Sequence, residues 1–167
     1  MNTFRIIVML AMGVQAVPAF QASSAAPGAA PAAAPAACKP QRIAKKTSLT
    51  YPGGRTVLVD IVDTPQSREI GLMCRTKLAP NYGMLFVFPR EMALNFWMKN
   101  TRIPLSIAFI DAHGKIIQIE RMQPYDFITQ HPSQFPSQYA LEVNKGWFER
   151  NGVGVGDTME IPHSGKE

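Results

Sequence analysis

Seven or so short apolar runs, each ended by glycine, proline or another turn residue, follow one another between Thr47 and Ile161. Runs of this length read as strands, because a packed helix needs ten or more residues to show its period. In Arg55–Val62 the residues Val57, Val59 and Ile61 alternate with Leu58, Asp60 and Val62. Apolar character on both faces marks a strand that is mostly buried. The spacing between runs is too short for repeated βαβ units. The expected fold is therefore mainly β: a single compact β-sandwich or partly open barrel with two short helices.

Local signals place the elements. Thr47–Tyr51 and Arg55–Val62 form a hairpin around Pro52-Gly53-Gly54. Thr64 is a helix N-cap and Pro65 a first helical residue, opening a helix over 65–73 that Gly71 weakens near its end. Ile70 and Met73 share its buried stripe. Strands follow at Met84–Phe88, closed by Pro89, at Ala93–Met98, at Leu105–Asp111 and at Lys115–Arg121. The last two pair through Ala112-His113-Gly114. Residues 122–137, with three prolines, read as a long loop. Tyr139–Val143 is a strand, Gly146–Asn151 a helical turn stopped by Gly152, and Asp157–Ile161 the closing strand.

The first forty residues differ in kind. Arg5 is their first charge, Ile6–Ala16 is apolar, and Val17-Pro18-Ala19 supplies small residues. These are the parts of a secretory signal. An apolar run of about 11 residues is short of the roughly 20 that cross a bilayer. The expectation is a signal peptide over 1–19, cleaved after Ala19, with Ala22 and Ala25 as alternative exits; an uncleaved anchor is the competing reading. Residues 20–40 form an Ala/Pro-rich linker, 41–162 the β-rich domain and 163–167 a tail. The protein is then exported, periplasmic or extracellular, with no transmembrane helix after cleavage.

Charge narrows the partners. Of 17 Lys and Arg, all but Arg5 and Lys39 lie beyond Gln41, against 12 Asp and Glu. They are scattered, and only Lys45-Lys46 are adjacent, so the basic stripe of a nucleic-acid surface is missing. The two cysteines, Cys38 and Cys74, fall in the exported part, where disulfides persist. A bridge closing a loop of about 35 residues contributes on the order of 3 to 4 kcal/mol. Two free thiols, or Cys74 as a nucleophile, are the alternatives.

The densest chemistry is Asn95-Phe96-Trp97-Met98-Lys99-Asn100-Thr101. In a strand, Phe96, Met98 and Asn100 share one face; Asn95, Trp97, Lys99 and Thr101 share the other. At a sheet end the segment puts an aromatic platform beside an ammonium and two amides, which suits a polar or anionic ligand. The plainer reading makes Trp97 core and Lys99 a solvated strand end. Arg75, after the first helix, either reaches a ligand anion or pairs with Glu69 on the surface. Met73, Met84, Met92, Met98, Met122 and Met159 lack the clustering of a copper site, and His113, His131 and His163 lack metal spacing. A Cys74–His131 pair has no local support. No metal and no cofactor is expected. Gly152-Val153-Gly154-Val155-Gly156-Asp157 leads into a strand, so it is a turn and not a phosphate cradle.

Several of these runs occur together in one known family. They are Arg68-Glu69-Ile70-Gly71-Leu72-Met73, Gly83-Met84-Leu85-Phe86-Val87-Phe88, Asn95 to Leu105, Phe109-Ile110-Asp111, Leu141-Glu142-Val143 and Gly152 to Asp157. The chain resembles the domain of unknown function 192 family over about residues 47 to 161. The resemblance implies a compact β-rich fold with a curled sheet and small helices, often exported, and supplies no reaction. Arg75, Trp97, Lys99, Asn100 and Glu142 match its characteristic polar and aromatic positions. Ser106 stands where the family often has an acid after Ile-Pro-Leu, so a site built on that carboxylate is in doubt here.

Three functions follow. The first is a non-catalytic binding or accessory module for a small polar or anionic ligand in the cell envelope, using Arg75, Trp97, Lys99, Asn100 and Glu142. The second is an envelope hydrolase or transferase with Glu142 or Asp111 as base and Lys99 or Arg75 steadying charge. The third is a structural envelope protein that recruits a partner.

Overall fold

The computed structural model describes residues 38–161. The expected signal peptide, most of the expected linker and the tail lie outside the described residues. The elements in order are β1 (Lys46–Tyr51), β2 (Arg55–Val62), α1 (Pro65–Ile70), β3 (Tyr82–Met92), β4 (Asn95–Phe96), β5 (Leu105–Ile110), β6 (Ile116–Met122), β7 (His131–Pro132), β8 (Ser137–Asn144) and α2 (Trp147–Asn151). The fold is mainly β, with two short helices, as expected.

Six strands form one sheet in the order β1-β2-β3-β8-β5-β6, and β4 pairs with β7 in a small second sheet. All neighbours in the large sheet are antiparallel except β2 and β3. That parallel pair is a single crossover through α1, a βαβ-like unit that strand spacing did not suggest. Residues 157–160 then touch both ends of the sheet. Glu160 N–H donates to Thr50 O on β1, and Met159 N–H donates to Gly114 O beside β6. Six flat strands would hold their outer members about 24 Å apart. Adjacent residues of one segment cannot bridge that gap, so the sheet curls. Of the two expected architectures, the partly open barrel describes it better than two full facing sheets.

Local chemistry explains the ends. Thr64 and Ser67 form a reciprocal capping box, with Pro65 at the first turn of α1. The helix stops at Ile70, earlier than the expected Met73, because Gly71 takes φ +48° and leaves the helical ladder. Strand β3 runs through Pro89 to Met92, where a stop was expected. The β3–β8 register shifts between Val87 and Met92, so Pro89 lies in an irregular stretch where a missing N–H costs little. The long loop after Met122 holds β7, and the expected last strand contributes two isolated bridges, at Thr158 and Glu160.

Both faces of the sheet are buried. One core holds Leu49, Val57, Leu85, Ile110, Trp147 and Phe148; the other holds Met84, Phe86, Phe96, Met98, Ile107 and Phe109. Neighbours on β3 alternate between them, Met84 and Phe86 to one side, Leu85 to the other. The segment from Leu94 to Ile103 lies over the second core as a cover. Gly83 lets β8 approach: a Cβ there would sit 2.7 Å from the Glu142 carbonyl oxygen and 2.9 Å from Val143.

Candidate functional site

The ladder register sets one row of side chains across the second core face: Lys46, Asp60, Met84, Glu142, Ile107 and Glu120. Three acids in one row of a largely buried face each need a partner. Asp60 has three. Arg75 Nη2 lies 2.5 Å from its Oδ2, the Tyr82 hydroxyl donates to its Oδ1 at 2.5 Å, and Lys46 Nζ sits 3.5 Å from Oδ1. Burial, and then the bond to Asp60, raises the Tyr82 hydroxyl pKa. Lys46 also lies over the Tyr82 ring, 5.2 Å from its centroid. Glu120 accepts from Gln118 Nε2 and pairs with His131 Nδ1 at 3.0 Å. Glu142 has neither. It is 4% exposed, and burial pushes its carboxyl up from 4.5 to about 8.

Arg75 and Tyr82 both line a pocket of about 480 Å³, with Lys77, Leu78, Ala79 and Pro80. Asn144 Nδ2 donates to the carbonyls of Leu78 and Ala79, which ties the pocket wall to the end of β8. Lys77 is exposed and makes no ion pair among the described residues. Asp60 takes up one positive charge, and the mouth stays cationic.

The five residues expected to share one site are spread over four places. Arg75 faces this pocket. Trp97, 41% exposed, lines a separate groove of about 280 Å³ with Pro65, Arg68, Glu69, Phe86, Phe88, Asn95 and Phe96. Lys99 folds over the Trp97 ring, 5.3 Å from its centroid. Asn100 sits in a turn at φ +55°, and its carbonyl accepts from Cys74 N–H. Glu142 lies in the packed row.

Only Asn95 and Phe96 of the expected 93–98 strand are paired. Phe96 and Met98 point in, and Trp97 and Lys99 point out, as alternation requires. The turn at Asn100 reverses the rest: Asn100 is exposed, and Thr101 is buried at 5%. Met98 is fully buried in the core, while Trp97 is half-exposed, not a core residue.

Other expectations meet their partners here. Arg75 pairs with Asp60 and not with Glu69. Cys38 and Cys74 are joined as a disulfide, with Cα atoms 5.5 Å apart, so Cys74 is no thiol partner for His131, which pairs with Glu120. Asp111 accepts from His113 N–H and Lys115 N–H and so braces its own turn. Ser106 Oγ accepts from Gly146 N–H, anchoring the start of α2 where the family often has an acid. Among the described residues no group of His, Cys, Asp or Glu is placed to hold a metal ion, and no helix is long and apolar enough to cross a membrane.

A family model, DUF192, described as an uncharacterized ACR, matches residues 48–161. The chain belongs to the DUF192 family. A protein from Sinorhizobium meliloti 1021, whose crystal structure is described as that of a candidate transcription regulator, shares 37% identity. That alignment covers 72% of this chain and 96% of the other, with a TM-score of 0.67. A protein of unknown function from Novosphingobium aromaticivorans DSM 12444 shares 30% identity over 75% of this chain and 94% of its own, with a TM-score of 0.66. No curated protein matches the sequence. As a DUF192 domain, the chain carries a core that the family match spans almost from β1 to the last bridge.

The residues that sequence reasoning missed are Asp60, Tyr82, Lys77 and Lys46. One signal was available. Asp60 is the only charge inside the apolar run Val57–Val62. An acid in a buried strand demands a cationic partner.

Proposed function

We propose that this DUF192 protein is a non-catalytic, exported binding or accessory module that holds a small carboxylate- or phosphate-like anion in the pocket of Arg75, Lys77 and Tyr82. One observation carries the reading: Arg75 and Lys77 line a pocket whose Tyr82 wall lies under Lys46, and the acid that Arg75 engages, Asp60, is 2% exposed. Arg75 is held rigid by Asp60, which lowers the entropy cost of presenting its remaining N–H donors. The catalytic alternative gains less. Glu142 near pKa 8 stays protonated at neutral pH and is no base there, and Asp111 is occupied by its own turn. The neighbour's description raises DNA as another partner. Helices of six and five residues and scattered basic side chains give that reading little footing.

Export to the envelope rests on the apolar Ile6–Ala16 run and on the Cys38–Cys74 pair, which suits an oxidising space. Mature protein recovered from the envelope should begin just after Ala19; an intact Met1 would remove this support.

Calorimetric titration with phosphate and with citrate at matched ionic strength tests the pocket. Binding should weaken about tenfold in Lys77→Ala, the loss of one charge-assisted bond. Equal binding by the variant, or no heat beyond a chloride control, would dismiss the pocket as the site.

A further inference from the structure

Four large apolar side chains stand out from the surface around one junction: Trp97 at 41%, Tyr125 at 52%, Phe127 at 60% and Ile128 at 91% exposure. Scattered exposed apolar residues are ordinary on a protein surface. These four are not scattered. The segments 97–100 and 126–130 run side by side, joined at one end by the Phe96–His131 pair and at the other by Tyr125 N–H donating to Thr101 O at 3.0 Å. Met98 is sunk in the core between Trp97 and Lys99, which fixes both outward. Opposite them, Asp126 Oδ1 accepts from Ile128 N–H and Thr129 N–H. That turn holds Phe127 and Ile128 at the tip.

We propose that this tip docks the protein on an anionic lipid bilayer, with Phe127, Ile128 and Trp97 entering the interface. Three features select a bilayer over a protein groove. The two most exposed side chains, Phe127 and Ile128, project from a loop tip and line no cleft, and Trp97 stands at the rim of the small groove beside them. Lys99 rides over the Trp97 ring, and Arg102 is exposed one residue past Thr101, so cations flank the apolar tip as anionic headgroups require. The acid in the 126–130 segment, Asp126, is turned onto backbone amides. Tryptophan and tyrosine beside a basic rim are the residue types that settle at headgroup depth. This inference does not depend on the anion pocket.

The test uses the full chain and sedimentation with vesicles of phosphatidylcholine alone or mixed with phosphatidylglycerol. The chain should partition more strongly onto the mixed vesicles. Phe127→Ser with Ile128→Ser should lower that partition about tenfold, whatever the N-terminal apolar run contributes to both proteins. A single Ile128→Ser, at the most exposed of the four, keeps the comparison possible should the double variant lose its circular-dichroism signature. Trp97 gives a local readout, since the chain's other tryptophan, Trp147, is 1% exposed. Its emission should shift to the blue on the mixed vesicles and be quenched by brominated lipid, and Trp97→Phe should abolish both signals. Equal partition of wild type and variants overturns the proposal. So does Trp97 emission that vesicles leave unchanged, the result expected of a patch made for a protein partner.

Discussion

The Arg75 guanidinium holds the Asp60 carboxylate at 2.5 Å, and Asp60 is 2% exposed. The pair joins the residue after the disulfide to the middle of β2. Arg75→Met leaves a buried carboxylate with only Lys46 and Tyr82. The expected loss is about 3 kcal/mol, the lower end for breaking a buried pair because two partners remain. Asp60→Leu combined with Arg75→Met should recover most of it. Urea midpoints of the three proteins decide the matter, and a single-variant cost below about 1 kcal/mol would mean that the pair does not hold the fold.

Glu142 sets a pH dependence. Its folded pKa, about 8, lies above its ordinary value of 4.5. Between those limits the folded state holds a proton that the unfolded chain has released. Stability is therefore complete below about pH 4.5, falls as pH rises toward 8 and levels off above it. The total is of order 5 kcal/mol. Glu142→Gln should flatten this slope and make the protein more stable than wild type at pH 9. A wild-type profile that is flat from pH 5 to pH 8 contradicts the placement.

Gly83→Ala brings a methyl group against the Glu142 carbonyl and the Val143 side chain, at the seam between β3 and β8. Both strands are central, so neither can yield without moving the sheet. The expected cost is about 1–3 kcal/mol, the range for an overpacked core. Thermal melts of the purified variant measure it; an unchanged midpoint would show that the seam can open.

The disulfide pins residues ahead of β1. Gln41 Nε2 also donates to the carbonyls of Ser67 and Gly71, so the same stretch is held twice. Cys38→Ser should cost no more than the 3 to 4 kcal/mol, on the order of, that loop closure allows. Thiol titration of unreduced, unfolded protein should find no free sulfhydryl. Two free thiols there would show that the bridge does not form.

Much of this molecule was legible wherever a conformation depends on a few neighbouring residues. Pro52-Gly53-Gly54, the Thr64–Pro65 cap and Gly114 at φ +82° all fall where turn and cap chemistry put them. Pro89 misled because its missing N–H matters only if β8 stands opposite, and the register shift removes that demand. The β2–β3 pairing was hidden because parallel neighbours are chosen by the whole sheet. The site was read in the same uneven way. Arg75 was legible as a cation of interest, but its partner lies 15 residues earlier on another element. Glu142 was expected among ligand-binding residues, and only the row it shares with Met84 and Ile107 reveals that its side chain is enclosed.

The bond from Glu160 to Thr50 spans 110 residues, from 50 to 160. A nascent chain cannot complete this curl until nearly all of the domain has left the ribosome. Until then the sheet borders at Thr50 and at Gly114–Ile116 lack the backbone bonds that residues 156–160 supply, and stay open to pairing with other chains. Folding of this sequence is accordingly a late, long-range event, slow for its size, and a chaperone that shields those borders during synthesis has a definite interval in which to act.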